Sequence, residues 1–190
     1  MLFRFVIYLS MFFVLSACSL PSSKIPEEHF YRLADPIILK VSTPKFDQLQ
    51  LANVVASGLY NERAILYRHA DKPLALHRYY YHFWLQTPAK LVQDYMSQYL
   101  QKSGITKTIN TDVNVQPSST IQTEITRFER VVDKQQITVD VALNIRFSGT
   151  SDIYSAQVKA DTADMHATVA AVSKALSQIM SQFIKDINRD

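Results

Sequence analysis

The sequence is poor in cysteine and glycine, and each shortage excludes a class of site. Of its 190 residues, one is cysteine (Cys18) and three are glycine (Gly58, Gly104 and Gly149). A single thiol cannot form an intramolecular disulfide or supply a cysteine-rich metal site. Three isolated glycines form neither a G-x-G-x-x-G run nor a P-loop, which excludes the glycine-rich phosphate-binding loops of nucleotide-binding proteins.

The sequence also lacks a strong excess of either charge. It carries 20 Lys and Arg against 17 Asp and Glu, with a formal net charge of +3. No basic block or regular basic stripe occurs, so nucleic acid is not expected as a partner. The apolar fraction of 47% is sufficient for a folded core.

The common catalytic and metal-binding motifs are missing as well. The five histidines include no H-E-x-x-H motif and no pair at i, i+4, and no serine lies in G-x-S-x-G. His69 and His77 could approach each other across a hairpin and hold a metal with a carboxylate, but a structural role is the favoured interpretation. We therefore expect no enzymatic activity, no metal site and no cofactor.

The N-terminal segment has the layout of an export signal. Arg4 precedes an apolar run over residues 5–15, which is shorter than the roughly 20 residues that span a bilayer. The small residues Ser16 and Ala17 follow, and the run Leu15-Ser16-Ala17-Cys18 resembles the lipobox of bacterial lipoproteins. The alternatives are a secreted protein with a stray cysteine and a protein anchored by its N-terminal helix.

The lipobox resemblance implies a lipid anchor. It implies that residues 1–17 are a signal peptide cleaved between Ala17 and Cys18, and that Cys18 carries a diacylglycerol on sulfur and an acyl chain on its amine. Such chains contribute about 0.8 kcal/mol per buried methylene, and two already hold a protein stably on a membrane. Asp after the cysteine usually retains similar lipoproteins at the inner membrane. Ser19 in that position implies the outer membrane, with the domain facing the periplasm.

The remaining chain predicts a tether followed by one domain. Residues 18–28 comprise the lipidated cysteine and a polar, proline-containing segment that is expected to be flexible. Residues 29–190 predict a single α+β domain, with a largely antiparallel sheet and two amphipathic helices packed on one face. The predicted strands are 29–34, 48–56, 64–69, 74–85, 120–132, 137–147 and 153–160. The first predicted helix has Thr87 as its N-cap, begins at Pro88 and stops at Gly104. The second covers residues 169–187, and Asp161, Thr162 and Asp164 lie at its N-terminal end.

The clearest strand pattern lies at residues 137–147. Its odd-numbered positions are apolar, whereas Asp140 and Asn144 between them are polar. This alternation predicts one face in the core and one face in water. In the preceding strand the apolar phase shifts between Ile125 and Phe128, and a bulge near Thr126 explains the shift.

An unusual run of aromatic residues occupies positions 79–84, with the sequence Tyr-Tyr-Tyr-His-Phe-Trp. Alternate strand residues point to opposite faces, so these rings cannot all enter one core. Either the rings on one face pack under a helix and the others only line the outer face, or part of the run contacts a partner protein. The candidate partner-binding residues are Tyr80, His82 and Trp84.

Several segments together resemble the ABC-type transport auxiliary lipoprotein family, which includes the paraquat-inducible protein C type. They are the lipobox, the first strand Phe30-Tyr31-Arg32-Leu33, the segment 61–68 and the run 81–88. The family often has Trp, a small residue, Glu and Pro in succession. Here the run is Trp84-Leu85-Gln86-Thr87-Pro88, one residue longer and without the acid, so an interaction of that Glu is not carried over to this chain.

The resemblance implies a non-enzymatic lipoprotein of an envelope lipid-transport system. Its partners would be an MCE-domain periplasmic protein and an inner-membrane transport component, and by family analogy it would form a homo-oligomeric ring. Two alternatives stay open. One is a lipoprotein that binds an acyl chain in its own apolar cavity, and the other is a structural lipoprotein of a machine for pilus, secretion or lipopolysaccharide export.

Overall fold

The computed structural model describes residues 26–111, 119–134 and 136–189, so the predicted signal peptide and Cys18 lie outside the described residues. The described chain forms nine strands, two helices and a short 3-10 helix, and the predicted α+β class is confirmed. In chain order these elements are β1 (His29–Tyr31), β2 (Phe46–Leu51), β3 (Val55–Ala56), the 3-10 helix (Gly58–Asn61), β4 (Ala64–His69), β5 (Lys72–Trp84), α1 (Pro88–Ser103), β6 (Thr106–Asn110), β7 (Thr120–Val132), β8 (Ile137–Phe147), β9 (Thr150–Lys159) and α2 (Met165–Arg189).

Strand β7 is the centre of the sheet. Along one edge it pairs antiparallel with β8, from Gln122 opposite Arg146 to Val132 opposite Ile137. Along its other edge it pairs with β2, β3 and β4 in succession, and all three pairings are parallel. Three segments from the first half of the chain are therefore positioned by one strand from the second half.

The other strands extend the sheet on both sides of β7. The path β1-β5-β4-β7 continues through β8 to β9, and β2-β6 branches from one end of β7. The most extensive pairings, β4–β5, β7–β8 and β8–β9, are antiparallel, as the sequence predicts. The shorter pairings of β1 with β5, of β2 with β6, and of β2, β3 and β4 with β7 are parallel. Neither these parallel pairings nor strand β6 follows from the sequence pattern.

The predicted bulge near Thr126 is confirmed. Ile125 lies opposite Leu143 and Arg127 lies opposite Ala142, so Thr126 is an extra residue in β7. Its hydroxyl donates to the carbonyl oxygen of Ala142 at 3.1 Å. The bulge resets the alternation, so that apolar side chains on both sides of it reach the core.

The helix boundaries agree with the local signals in the sequence. Helix α1 begins at Pro88 and ends before Gly104, whose φ of 80° is a left-handed conformation that favours glycine. Thr87 occupies the predicted N-cap position, although its side chain makes no capping hydrogen bond. Before α2, the carboxylate of Asp164 accepts a hydrogen bond from the backbone N–H of Ala167 at 2.8 Å, which satisfies a free amide of the first turn.

Tyrosine hydroxyls join the two helices. The hydroxyl of Tyr95 donates to the carbonyl oxygen of Ser173 at 2.6 Å and lies 2.6 Å from the hydroxyl of Ser177. Burial raises the pKa of Tyr95 to about 12, so this hydroxyl stays protonated. Tyr99 makes a similar bond to Ser181 at 2.7 Å one turn further along.

The apolar core fills the space between the helices and one face of the sheet. All the odd-numbered side chains of β8 are buried in it, as the alternation predicts, and α2 covers them with its apolar face. The largest fully buried side chains are Tyr99, Phe183, Leu49, Leu51, Ile65, Met96, Leu100, Ile105, Ile121, Ile125, Leu143 and Ile145.

The side chains on the opposite face of β8 are not all exposed to solvent. The alternation places Asp140 in water, and this expectation is wrong, because Asp140 is only 3% exposed. Its two carboxylate oxygens contact Arg68 at 3.0 Å and Arg127 at 3.1 Å, and Gln157 adds a hydrogen bond at 3.3 Å. Glu129, which lies opposite Asp140 on β7, is also buried and accepts a hydrogen bond from Arg68 at 2.7 Å. Alternation assigns a face to a residue, but the neighbouring strands decide whether that face is covered.

Candidate functional site

Strand β5 carries the aromatic run and forms a partly unpaired edge of the sheet. Strand β1 pairs with it only at His82–Trp84. Over residues 72–81, the edge of β5 away from β4 has no strand partner in the described part of the chain. Leu74 and Tyr80 are exposed along this stretch. A free edge presents backbone N–H and C=O groups to which an added strand can bind.

The aromatic run does not alternate regularly, because β4 and β5 change register beside it. Ala64 lies opposite Phe83, but Leu66 lies opposite Arg78, so two steps along β4 correspond to five steps along β5. Strand β5 therefore holds three extra residues between these pairs. An odd number of extra residues reverses the faces on which the flanking side chains lie.

The three candidate partner-binding residues have different surroundings. Tyr80 is 74% exposed, and His82 is half-buried. Trp84 is only 2% exposed, and its ring packs against Phe128 with centroids 5.3 Å apart. The prediction that Trp84 is available on the surface is therefore wrong. The register change turns Trp84 into the core even though it lies an even number of residues from Tyr80.

All five histidines of the chain belong to one continuous network of contacts between aromatic rings. This histidine–tyrosine cluster consists of His29, His69, His77, His82, His166, Tyr31, Tyr67 and Tyr79. At its centre, His29 stacks on His82 with centroids 5.3 Å apart, and the hydroxyl of Tyr31 lies 3.0 Å from Nδ1 of His82. The cluster links β1, β4, β5 and the start of α2.

The surroundings of His82 favour its neutral form. Partial burial lowers the pKa of His82, and the positive charges of His29 and Arg130 lower it further. Arg130 also donates to the hydroxyl of Tyr79, and burial raises the pKa of Tyr79 despite this cation. His82 and Tyr79 are therefore held as neutral rings with hydrogen-bonding edges, which suits recognition by stacking and hydrogen bonding.

The hairpin of β4 and β5 brings His69 and His77 together, with ring centroids 5.9 Å apart. The ring of Tyr67 packs against both histidines. Within the residues that the structure describes, no three or more His, Cys, Asp or Glu side chains converge to hold a metal ion. The contacts of this pair are thus aromatic.

Several grooves lie along α2. One, of about 820 Å³, runs beside β9 and is lined by polar residues that include Gln157, Gln178 and Gln182. Another, of about 320 Å³, lies over Phe147 and Phe183. Both of these grooves are open to solvent, so neither of them encloses an acyl chain.

Sequence reasoning missed the contribution of β1 to this surface. The parallel pairing of β1 with β5 places Phe30 opposite Phe83, and their rings stack with centroids 5.7 Å apart. The guanidinium of Arg63 lies 5.3 Å from the centre of the Phe30 ring. A three-residue strand carries too little pattern to identify its partner, so no signal in the sequence predicts these contacts.

The structure describes only the end of the predicted tether. Residues 26–28 are exposed and have no regular secondary structure, and the predicted anchor at Cys18 lies outside the described residues. Among the helices that the structure describes, none is long and apolar enough to cross a membrane.

Two solved structures share this fold. Protein XCC0632 of Xanthomonas campestris, which is assigned to the family DUF330, has a TM-score of 0.70 and 16% sequence identity, and the match covers 85% of this chain and 100% of that one. The crystal structure of an uncharacterized protein has a TM-score of 0.68 and 10% identity, with 85% and 99% of the two chains covered. At these identities the likeness shows the fold alone. A comparison with curated proteins gives no match.

The family model of the ABC-type transport auxiliary lipoprotein component matches residues 31–184. The matched range begins at the last residue of β1 and ends within α2, so it includes every strand from β2 to β9. The resemblance that the sequence segments indicate is thereby confirmed. The chain belongs to the family of ABC-type transport auxiliary lipoprotein components.

Proposed function

We propose that this chain is a non-enzymatic outer-membrane lipoprotein that docks the MCE-domain periplasmic protein of an envelope lipid-transport system. Its anchor is the acylated Cys18, and the transport system includes an inner-membrane component. The observation that carries the proposal is the family match over residues 31–184. The run Leu15-Ser16-Ala17-Cys18 supports the anchor, and Ser19 supports the outer membrane.

The partly unpaired edge of β5 supports a docking surface on this side of the domain. Backbone groups of residues 72–81 can accept an added strand, and the exposed ring of Tyr80 adds contact area. His82 supports this surface indirectly, because its hydrogen bond with the hydroxyl of Tyr31 holds β1 against β5. Docking on this edge needs no catalytic group.

The anchor is tested by mass spectrometry of the protein extracted from membranes. The expected N-terminal peptide begins at Cys18 and carries the mass of the added acyl chains. Ser19→Asp is expected to move the protein from the outer to the inner membrane fraction. A mature N-terminus elsewhere, or an unmodified thiol at Cys18, contradicts the anchor.

Docking is tested by co-purifying the full-length lipoprotein in detergent with its MCE-domain partner. Truncation of a central interface aromatic typically costs about 2 kcal/mol, so Tyr80→Ala is expected to weaken binding roughly thirtyfold. Ile153→Ala is the matched control, because Ile153 is an exposed apolar residue on β9. Unchanged partner binding by Tyr80→Ala, with an unchanged oligomeric state, places the docking surface elsewhere.

A further inference from the structure

Three apolar side chains and one arginine form an exposed patch where β1 pairs with β5. This Phe30 patch consists of Phe30, Arg63, Phe83 and Leu85. The rings of Phe30 and Phe83 stack, and Leu85 extends the pairing because its N–H donates to the carbonyl oxygen of Tyr31 at 2.7 Å. Phe83 and Leu85 flank the buried Trp84, so they lie on the face of the sheet away from the core.

The residues that the structure describes leave this patch uncovered. Phe30 is 49% exposed and Leu85 is 53% exposed. Strand β1 is only three residues long and is the last strand at this end of the described sheet. Single exposed apolar residues are ordinary on protein surfaces, but a contiguous exposed apolar patch indicates a surface that contacts a membrane or another molecule.

The predicted tether ends at this patch. Residues 19–28 separate Cys18 from His29, where β1 begins. For a chain of ten residues, the random-coil end-to-end distance is about 17–19 Å and the fully extended length is at most about 36 Å. Lipid attached to Cys18 would keep the patch close to the bilayer surface, where even a weak affinity is sufficient because the contact is intramolecular.

We propose that the Phe30 patch lies in the headgroup region of the phospholipid surface that holds the anchor. The patch thereby fixes which face of the domain is turned to the membrane. This inference rests on the lipid anchor of the proposed function. Phospholipid is the expected occupant because the short tether leaves only a narrow gap between the domain and the bilayer. A protein bound to this patch would have to fit into that gap.

The side chains of the patch suit the headgroup region. Aromatic rings and leucine bury apolar surface at the level of the headgroups. Arg63 donates from Nε to the carbonyl oxygen of Trp84 at 3.1 Å and has no carboxylate partner among the described residues. Its Nη1 and Nη2 groups can therefore bind a lipid phosphate in two-pronged geometry. Glu27 and Glu28 immediately precede β1, so we expect contact with zwitterionic lipid and little dependence on anionic lipid.

The test uses the lipidated protein in phosphatidylcholine vesicles. Its lone native thiol is consumed by the anchor, so Leu85→Cys provides one thiol for an environment-sensitive fluorophore. Ile153→Cys is the matched control, because it lies on β9, five strand spacings or about 24 Å across the sheet from β1. Quenching is measured with aqueous iodide and with a nitroxide-labelled phospholipid, and the same preparation is analysed by mass spectrometry and vesicle flotation.

The expected result is that the label at position 85 is quenched by the nitroxide lipid and is severalfold less accessible to iodide than the label at position 153. Phe30→Ser should then increase iodide access at position 85, while the melting temperature stays unchanged.

Equal iodide access at both positions overturns the proposal. Protection at position 85 without nitroxide quenching also overturns it, and indicates a second copy as the occupant. A protein that does not float with the vesicles contradicts the anchor itself, and the patch proposal is lost with it.

Discussion

Asp140 is a buried carboxylate held by arginines from β4 and β7. Two carboxylates, Asp140 and Glu129, lie side by side, and Arg68 contacts both. A buried charge is costly unless it is paired, so this arrangement stabilises the fold only as long as every member is present. Removing one member leaves the others without their partners in a region that water reaches poorly.

Asp140→Ala is therefore expected to lower the free energy of unfolding by about 2–3 kcal/mol. Asn144→Ala, on the same face of β8, is expected to cost about 0.5 kcal/mol or less, because among the described residues the Asn144 side chain bonds to the exposed hydroxyl of Ser151 and to no other side chain. Urea denaturation of the mature chain measures both values. Equal losses for the two variants would mean that Asp140 is solvated, as simple alternation predicts.

His82 makes the stability of the domain sensitive to acid. Folding lowers its pKa below the ordinary value of 6.5. As the pH falls through that value, the unfolded chain binds a proton that the folded chain does not yet bind. The stability contributed by neutral His82 is therefore complete above about pH 6.5 and is lost as the pH falls toward the lower pKa of the folded state.

The parent protein should thus lose more melting temperature than His82→Gln does when the pH is lowered from 7.5 to 5.5. The difference is expected to be modest, because solvent reaches part of the ring. Differential scanning calorimetry of both proteins at the two pH values measures it. Equal losses would assign the acid sensitivity to groups other than His82.

At the scale of elements, substitutions on the two faces of β8 can test how the sheet packs against the helices. Leu143 is fully buried beneath α2, and Arg146 lies exposed on the opposite face. An unpaired carboxylate in the core costs several kcal/mol, and whole domains have only about 5–15 kcal/mol of stability. Leu143→Asp, like Val141→Asp, should abolish soluble folding, whereas Arg146→Asp should fold. Solubility and circular dichroism compare them, and a cooperative melt of Leu143→Asp would contradict the assignment.

The elements that could be predicted are those whose signals lie within one segment. Alternation over residues 137–147, the helical spacing in α2 and the stop at Gly104 each depend only on nearby residues. The bulge at Thr126 was visible for the same reason, since the apolar phase shifts inside a single strand. Strand β6 is short and polar, and its pairing with β2 provides its stability, so its own sequence does not reveal it.

The candidate site was less predictable than the fold, because its geometry depends on pairings between distant segments. The sequence identified the aromatic run and left open which of its faces is exposed, and Tyr80 lies on the surface in the structure. It did not place Trp84, whose face is set by the extra residues that β5 holds opposite β4. It also gave no indication that all five histidines would meet, because β1, β4, β5 and α2 bring them together from separate parts of the chain.

At the scale of the whole molecule, the unpaired edge of β5, the histidine–tyrosine cluster and the Phe30 patch all lie at the β1–β5 side of the sheet. Strand β9 lies at the far side, and α1 and α2 cover one face. The proposed lipid contact and the proposed docking surface are therefore neighbours. A change in how the domain rests on the membrane would move the docking edge with it.

The position of β7 also sets the order in which the domain can fold. Strands β2, β3 and β4 all precede β7 in the chain, yet each needs it as a neighbour. Before residues 120–132 arrive, only the β4–β5 hairpin and α1 can form from nearby residues, and such pieces are marginal on their own. A chain exported with its N-terminus first would thus stay unfolded until β7 has crossed the membrane, as passage through a narrow translocation channel requires. The contiguous unit of β7, β8, β9 and α2 would then serve as the template on which the earlier half assembles.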